Sequence, residues 1–444
     1  MTRRREAQPP AGDDSLAVEG LARLCAAAAV AGLLTGLVGS WFRMSLIAVE
    51  RLRDGLVEWA HGYGPAGFAL AVAVLALGVM FARTLVRLAP LAAGSGIQHV
   101  EAVMRGESDH ARLLILPVKF AGGAIAIGSG LALGREGPTV QMGATIGTAA
   151  ARWLRAGTED VKSVMAAAAG AGLGVAFNAP VGGAIFVFEE LTRAFRPRLT
   201  LATLIASASA LAVSRPILGD VLDFKVPSIA EPDPRQLAMY ILLGILLGAL
   251  GVAYNRGVVI GLELNARAVR WPVEIRAGIV GAAVGLVAWF GPPLVGDGHF
   301  LNQRVLAEGL PALFLLLVFV VRLVLGPFSY SAGTPGGLFA PLLLVGASFG
   351  SLLGTVSGHA LGVFAPSPAA LAIVGMSSFF AAVVQAPLTG IVLIAEMTGT
   401  TVLLVPMLAA ALAASLTASL LGGRPIYDVL RERMLEASAP AAGR

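Results

Sequence analysis

The feature that most constrains this chain is a succession of charge-poor apolar stretches near residues 21–48, 66–82, 113–134, 163–188, 199–219, 237–261, 276–295, 309–330, 337–365, 369–395 and 401–422. Each is long enough to span or enter a bilayer. Only 13% of the 444 residues are charged and 57% are hydrophobic, whereas soluble domains carry roughly 25% charge. Too little polar surface remains to disperse a globule of this size, which excludes a soluble multidomain enzyme. Several stretches depart from a clean span of about 20 residues. Many carry internal Gly or Pro, as in Gly128-Ser129-Gly130 before Gly134 and in Pro335-Gly336-Gly337. Broken backbone survives at membrane depth only where protein or a water-filled cavity satisfies it, so short and half helices are expected beside full spans. The 55 glycines point the same way, to close helix packing and functional backbone. The fold class expected is an all-α polytopic membrane protein.

The formal charge of +5 would suit nucleic acid only if the basic residues formed a stripe with interleaved aromatics. They flank apolar segments instead, the pattern that sets membrane orientation, and no nucleic-acid partner is expected. Arg3, Arg4 and Arg5 place the N-terminus in the cytoplasm, Arg193, Arg196 and Arg198 place that loop there, and Arg424, Arg431 and Arg433 place the C-terminus there. Residues 1–16 are polar, and the apolar run after them has no Ala-x-Ala cleavage site or twin-arginine pattern. A short cytoplasmic tail is expected there, not a signal peptide. Cys25 is the sole cysteine and the five histidines are scattered, so neither an internal disulfide nor a metal site is expected.

An internal repeat divides the chain. Ala179-Pro180, Gly183 and Glu189 recur as Ala386-Pro387, Gly390 and Glu396, all 207 residues later. Gly134, Pro138, Gly143-Ala144 and Gly147 recur as Gly337, Pro341, Gly346-Ala347 and Gly350, all 203 residues later. Blocks in the same order at nearly one offset mark two halves with one plan. The expected organisation is a tail over 1–16, a first membrane repeat over 17–225, a second over 226–430 with a terminal pore-lining helix, and a short tail over 431–444. Asp220 to Arg235 is the linker. Repeated halves with broken helices are the architecture of transporters whose site lies near the bilayer midplane, where half-helix N-termini can face an anion.

Candidate chemistry gathers at the breaks. Gly134-Arg135-Glu136-Gly137-Pro138 suits a helix start whose free N–H groups face negative charge. Glu136, ionised, can occupy that anion site, and protonation lets it leave, so proton and anion would compete. The bland alternative is a helix-start carboxylate paired with Arg135. The repeat places Phe339 opposite Glu136, an asymmetry where chemistry would need one. Ser95 in Gly94-Ser95-Gly96-Ile97 offers a hydroxyl beside flexible backbone, though Gly-Ser-Gly alone reads equally as a turn. Glu189 matches Glu396 and reads as a structural carboxylate. Glu190 faces Met397, has no counterpart, and is either functional or a solvated charge paired with Arg193. Tyr427 is a hydroxyl ligand or an interfacial anchor. Lys119, within an apolar run, either snorkels or neutralises a buried negative charge, and with Arg135 is a candidate for electrostatic support. Gly170, Gly172 and Gly174 lack a flanking strand and read as close packing, not nucleotide binding. An intramembrane acid–base enzyme using Glu136 finds no nucleophile, metal pair or substrate pocket to support it.

In order and over nearly the whole chain, several segments resemble those of the CLC chloride channel and transporter family. They are Gly94 to Ile97, Gly134 to Pro138, Phe177-Asn178-Ala179-Pro180 with Glu189-Glu190, Gly337-Leu338-Phe339-Ala340-Pro341, Ala386 to Gly390 with Glu396, and Tyr427. The resemblance is closest to prokaryotic chloride/proton exchangers without CBS domains. It implies a homodimer in the cell inner membrane with one anion pathway per subunit, each subunit being two inverted-topology repeats of tilted and broken helices. Carried over by position, Glu136 is the outer gate, Ser95 and Tyr427 are hydroxyl ligands of the anion, and Leu338 and Phe339 donate backbone N–H. Glu190 matches the inner proton-transfer residue of exchangers, which favours exchange of chloride for protons over a passive proton-gated channel. Ser95 stands where nitrate-preferring members have proline, and the Gly-Arg-Glu-Gly-Pro motif argues against the fluoride-exporting branch. No cofactor and no nucleotide are expected. One departure is Gln98, where the family usually has proline after Gly-Ser-Gly-Ile. It adds a donor and some freedom near the inner mouth.

Overall fold

The protein is described here from a computed structural model, in which residues 12–362 and 365–438 are defined. Among them the chain forms seventeen α-helices and no β-strand. In the first half these are α1 (Gly12–His61), α2 (Gly64–Leu85), α3 (Ile97–Met104), α4 (Ile115–Gly128), α5 (Glu136–Trp153), α6 (Thr158–Phe177), α7 (Pro180–Phe186) and α8 (Pro197–Leu218). In the second they are α9 (Leu237–Arg267), α10 (Val273–Phe290), α11 (His299–Ala307), α12 (Ala312–Tyr330), α13 (Phe339–Leu361), α14 (Pro368–Val384), α15 (Pro387–Thr398) and α16 (Leu404–Leu420), after which comes α17 (Ile426–Ser438). Eight helices are long and apolar enough to cross a membrane, while α4 and α14 to α16 are shorter apolar helices. The 14 residues of α4 reach about 21 Å, short of the hydrocarbon core.

Two stretches that read as single apolar runs, 163–188 and 369–395, are each two helices. The break falls at Asn178-Ala179-Pro180 and at Gln385-Ala386-Pro387. Proline lacks the N–H and its ring clashes with the preceding turn, so the helix stops with two residues left before it and restarts at it. Asn178 (φ 51°) and Gln385 (φ 62°) both take the left-handed conformation that ends the first helix. Their side-chain amides anchor the break by donating to Val221 O and Gly423 O.

The repeat is visible in packing. At the α5–α6 crossing Gly143 lies against the Ala168 carbonyl, and at the α13–α14 crossing Gly346 lies against the Gly375 carbonyl, so close that a Cβ would collide. The halves run in opposite senses. The turn before α8 joins α17, where Arg193 pairs with Asp428 at 3.0 Å. The turn before α16 packs instead beyond the end of α8, with Gly399 on Leu222 and Phe224 N–H donating to Met397 O. Equivalent helices α8 and α16 therefore start at opposite faces.

Two terminal boundaries differ from expectation. Helix α1 begins at Gly12, inside the segment read as a tail, since a helix is free to continue into water. Arg3, Arg4 and Arg5 lie outside the described residues. At the other end α17 runs through to Ser438, across the expected boundary at 430, and residues 439–444 lie outside the described residues.

Candidate functional site

Three irregular loops meet at the centre of the molecule and are stitched by backbone. Gly134 and Gly337, equivalent in the repeat, exchange both hydrogen bonds with each other at 2.7 and 2.8 Å. Gly94 N–H donates to Thr334 O and Gly94 O accepts from Gly336 N–H. This reciprocal pairing of equivalent residues puts the starts of α5 and α13 side by side and leaves their first-turn N–H groups facing inward, where helix N-termini carry partial positive charge. Leu338 and Phe339 are buried at the start of α13, and their N–H groups have no backbone partner among the described residues.

Glu136 is fully buried. One carboxylate oxygen sits 3.4 Å from the Ala340 N–H at the start of α13 and the other has no protein partner. The carboxylate thus rests on a donor of the opposite repeat. Ser95 Oγ and Tyr427 Oη are buried with no partner, and Ser95 Oγ packs directly on Gly137 at the start of α5. Tyr427 lies within electrostatic reach of Tyr330, Glu136, Glu190 and Glu101. Phe339 closes the site between Phe177 and Phe380, at ring distances of 5.3 and 4.2 Å.

The two cations take direct partners other than Glu136. Lys119 neither snorkels nor meets a carboxylate: its buried ammonium donates to Ala92 O at 3.0 Å and Gly94 O at 2.7 Å. Helix α4 is too short to carry it to the interface, and the carbonyls of the Ser95 loop supply the negative partial charge. Lys119 therefore braces that loop. Arg135 makes no ion pair with Glu136. Its guanidinium turns to Asp223 at 3.4 Å and Asp297 at 3.6 Å and donates to Ala176 O. Asp223 also takes Arg43 at 2.6 Å and His299 at 3.5 Å. This buried charge cluster pins the start of α5 to α1, α6, α11 and the 219–236 connection.

Glu190, 3% exposed, lies in a single π-type turn after α7 (Val187–Leu191). It does not pair with Arg193, which Asp428 holds. Its neighbour is Glu101 on α3, 1% exposed, close enough for the two acids to interact electrostatically. Glu190 also lines a cleft of 360 Å³ with Arg105, Lys162 and Arg193. Glu189 and Glu396 are reciprocal helix caps. Glu189 accepts from Leu388 N–H and Thr389 N–H at the start of α15, and Glu396 from Val181 N–H and Gly182 N–H at the start of α7.

Sequence reasoning missed Glu101, Asp223 and Asp297. The first is a lone acid on an eight-residue helix behind the Gly-Ser-Gly loop, a weak signal that was available. Asp223 sat in a stretch read as linker, and nothing local marks it, because its partners lie far away in the chain.

Residues 77–419 match the family described as voltage gated chloride channel. Over 415 residues the chain is 37% identical to the H(+)/Cl(-) exchange transporter ClcA of Vibrio cholerae serotype O1 (strain M66-2), across 91% of this chain and 88% of that protein. It is 34% identical over 418 residues to the protein of the same name from Salmonella paratyphi A, across 92% and 88%. A solved slow cyanobacterial Cl-/H+ antiporter superposes with a TM-score of 0.89 at 32% identity, covering 94% of this chain and 99% of that one. A CLC-type fluoride/proton antiporter superposes at 0.77 with 19% identity, a likeness of fold alone.

Proposed function

Since the chain belongs to the voltage gated chloride channel family, we propose that it is a secondary active transporter exchanging chloride for protons. The observation that carries the proposal is that a buried serine hydroxyl and a buried tyrosine hydroxyl, both without a partner among the described residues, lie near a buried glutamate seated on a helix-start N–H. Such donors suit a dehydrated anion, and the glutamate is its competitor.

In this reading Ser95 and Tyr427 donate their hydroxyls to chloride, and Leu338 and Phe339 donate backbone N–H. Glu136 is the outer gate: its carboxylate and the anion claim the same donors at α13, and a proton that neutralises it frees them. Glu190 accepts protons from the side of the basic cleft, and Tyr427 lies within electrostatic reach of both it and Glu136. Arg135 and Lys119 act at one remove, by fixing the α5 start and the Ser95 loop. The protein sits in the inner membrane as a homodimer with one pathway per subunit and both termini in the cytoplasm. The exchangers among its relatives favour coupling over a passive channel.

The test is proton movement into liposomes holding the purified protein, driven by a chloride gradient under clamped voltage. Wild type is expected to move protons uphill. Glu136→Gln and Glu190→Ala are both expected to lose proton movement while Glu190→Ala still carries chloride. Chloride flux without uphill proton movement in wild type would make the protein a channel.

A further inference from the structure

The Gly94-Ser95-Gly96 loop carries two glycines at positive φ, 63° and 89°, a conformation that gathers successive N–H groups into an anion-accepting concavity. Here both of its inner N–H groups are already occupied by neutral oxygens of the protein itself. Gly96 N–H donates to the Gln98 side-chain oxygen at 3.1 Å, and Ser95 N–H donates to the Tyr330 hydroxyl at 3.2 Å. The Gln98 amide nitrogen lies beside that same hydroxyl. The assignment of the amide is settled by chemistry, because only its oxygen can accept from Gly96. The Ser95 hydroxyl next to them has no partner among the described residues. A cleft of 710 Å³, bounded by Leu91, Leu262 and the α17 residues Leu430 and Arg433, opens onto Gln98 and Tyr330.

We propose that Gln98 is an internal competitor for the anion, a specificity-determining residue whose amide oxygen fills the Gly96 N–H until chloride arriving through this cleft displaces it. The inference rests on the exchange reading above and assigns Gln98 a role within it. Chloride approaching Ser95 through the cleft meets donors that are taken, so entry requires the carboxamide to let go of Gly96. A neutral acceptor yields to an anion, since charge-assisted hydrogen bonds are stronger, but the exchange of one bond for another lowers the apparent affinity. The residue thereby sets how tightly the site holds chloride, and how readily it rejects anions too weakly charged or too large to displace the amide.

Chloride binding to the purified full-length protein, measured by titration calorimetry, tests this through the direction of two changes. Gln98→Ala frees the Gly96 N–H and is expected to bind chloride about fivefold more tightly, the worth of one neutral hydrogen bond. Gln98→Asn, too short to reach Gly96, is expected to follow Ala. Gln98→Glu puts a charged competitor at the same place and is expected to bind about tenfold more weakly than wild type. A loop-stabilising role alone would instead weaken binding in all three. Folded Ala and Asn variants with wild-type or weaker affinity would overturn the inference and leave the exchange reading intact. No chloride heat in wild type or any variant, with no chloride flux, would overturn both.

Discussion

Tyr427 and Ser95 bury hydroxyls that no group among the described residues satisfies. An unmet buried hydroxyl costs about 1–3 kcal/mol, so in the proposed reading these side chains are destabilising unless the anion satisfies them. Tyr427→Phe is accordingly expected to leave the chloride-free melting temperature unchanged or raised, while weakening chloride binding about fivefold. Thermal melts with and without chloride check both halves, and a variant less stable without chloride would show that the hydroxyl serves the fold instead. Asp223 is the opposite case. Its fully buried carboxylate faces Arg43, Arg135 and His299, and breaking such a cluster at one member strands the remaining charges. Asp223→Asn is expected to cost about 3–5 kcal/mol in denaturation, and an unaltered midpoint would contradict the anchoring role given to the cluster. These two residues also mark what was legible beforehand. Glu136 and Ser95 stand out in one dimension because glycines flank them in apolar surroundings. Asp223 and Glu101 acquire meaning only from side chains on other elements, and Lys119 was visible as an oddity while its carbonyl partners were not.

At the scale of elements, half-helices must be held as well as broken. The start of α15 is held by Glu189 and the start of α7 by Glu396, each carboxylate taking two backbone N–H groups of the opposite repeat. Glu189→Ala and Glu396→Ala are each expected to lose about 1–2 kcal/mol, the range of a lost helix cap, and the double variant to lose roughly the sum. Equilibrium unfolding in detergent decides this. The repeat spacing exposed these two glutamates as a matched pair, but periodicity could not show the break inside each apolar run, since hydrophobicity continues through Pro180 and Pro387. The terminal element is held by charge. Burial alone would raise the Asp428 carboxyl, but hydrogen bonds and charge from Arg193 and Arg431 hold it below its ordinary value of 3.8. Its folded pKa being depressed, its contribution to stability is present above the unfolded value and lost as pH falls through the folded one. The stability gap between wild type and Asp428→Asn is therefore expected to be constant near neutrality and to close on acidification below about pH 4. A gap independent of pH down to 3 would remove Asp428 from the tether of α17.

For the whole molecule, the inversion of the halves fixes which surfaces share a side of the membrane. Helix α8 has 22 residues, about 33 Å, enough to cross the hydrocarbon core. The loop before it carries Arg193 and Arg196, beside the α17 residues Asp428 and Arg431, and the connection after it carries Asp223 and Ser228. In the proposed orientation the basic end lies inside, as the positive-inside rule expects, and Glu190 would then open inward through its cleft while the Asp223 cluster behind Glu136 would lie outward. In a background with Cys25→Ser, single cysteines at Arg196 and at Ser228, both exposed positions, report the two ends. A membrane-impermeant maleimide added to intact cells is expected to label Ser228→Cys and spare Arg196→Cys, with the pattern reversed in inside-out vesicles. Labelling of both from one side would contradict the crossing of α8, and the converse pattern in each preparation would turn the molecule over. In that case Glu190 would face outward and could not receive protons from the cytoplasm, so the direction assigned to coupling depends on this one pair of thiols.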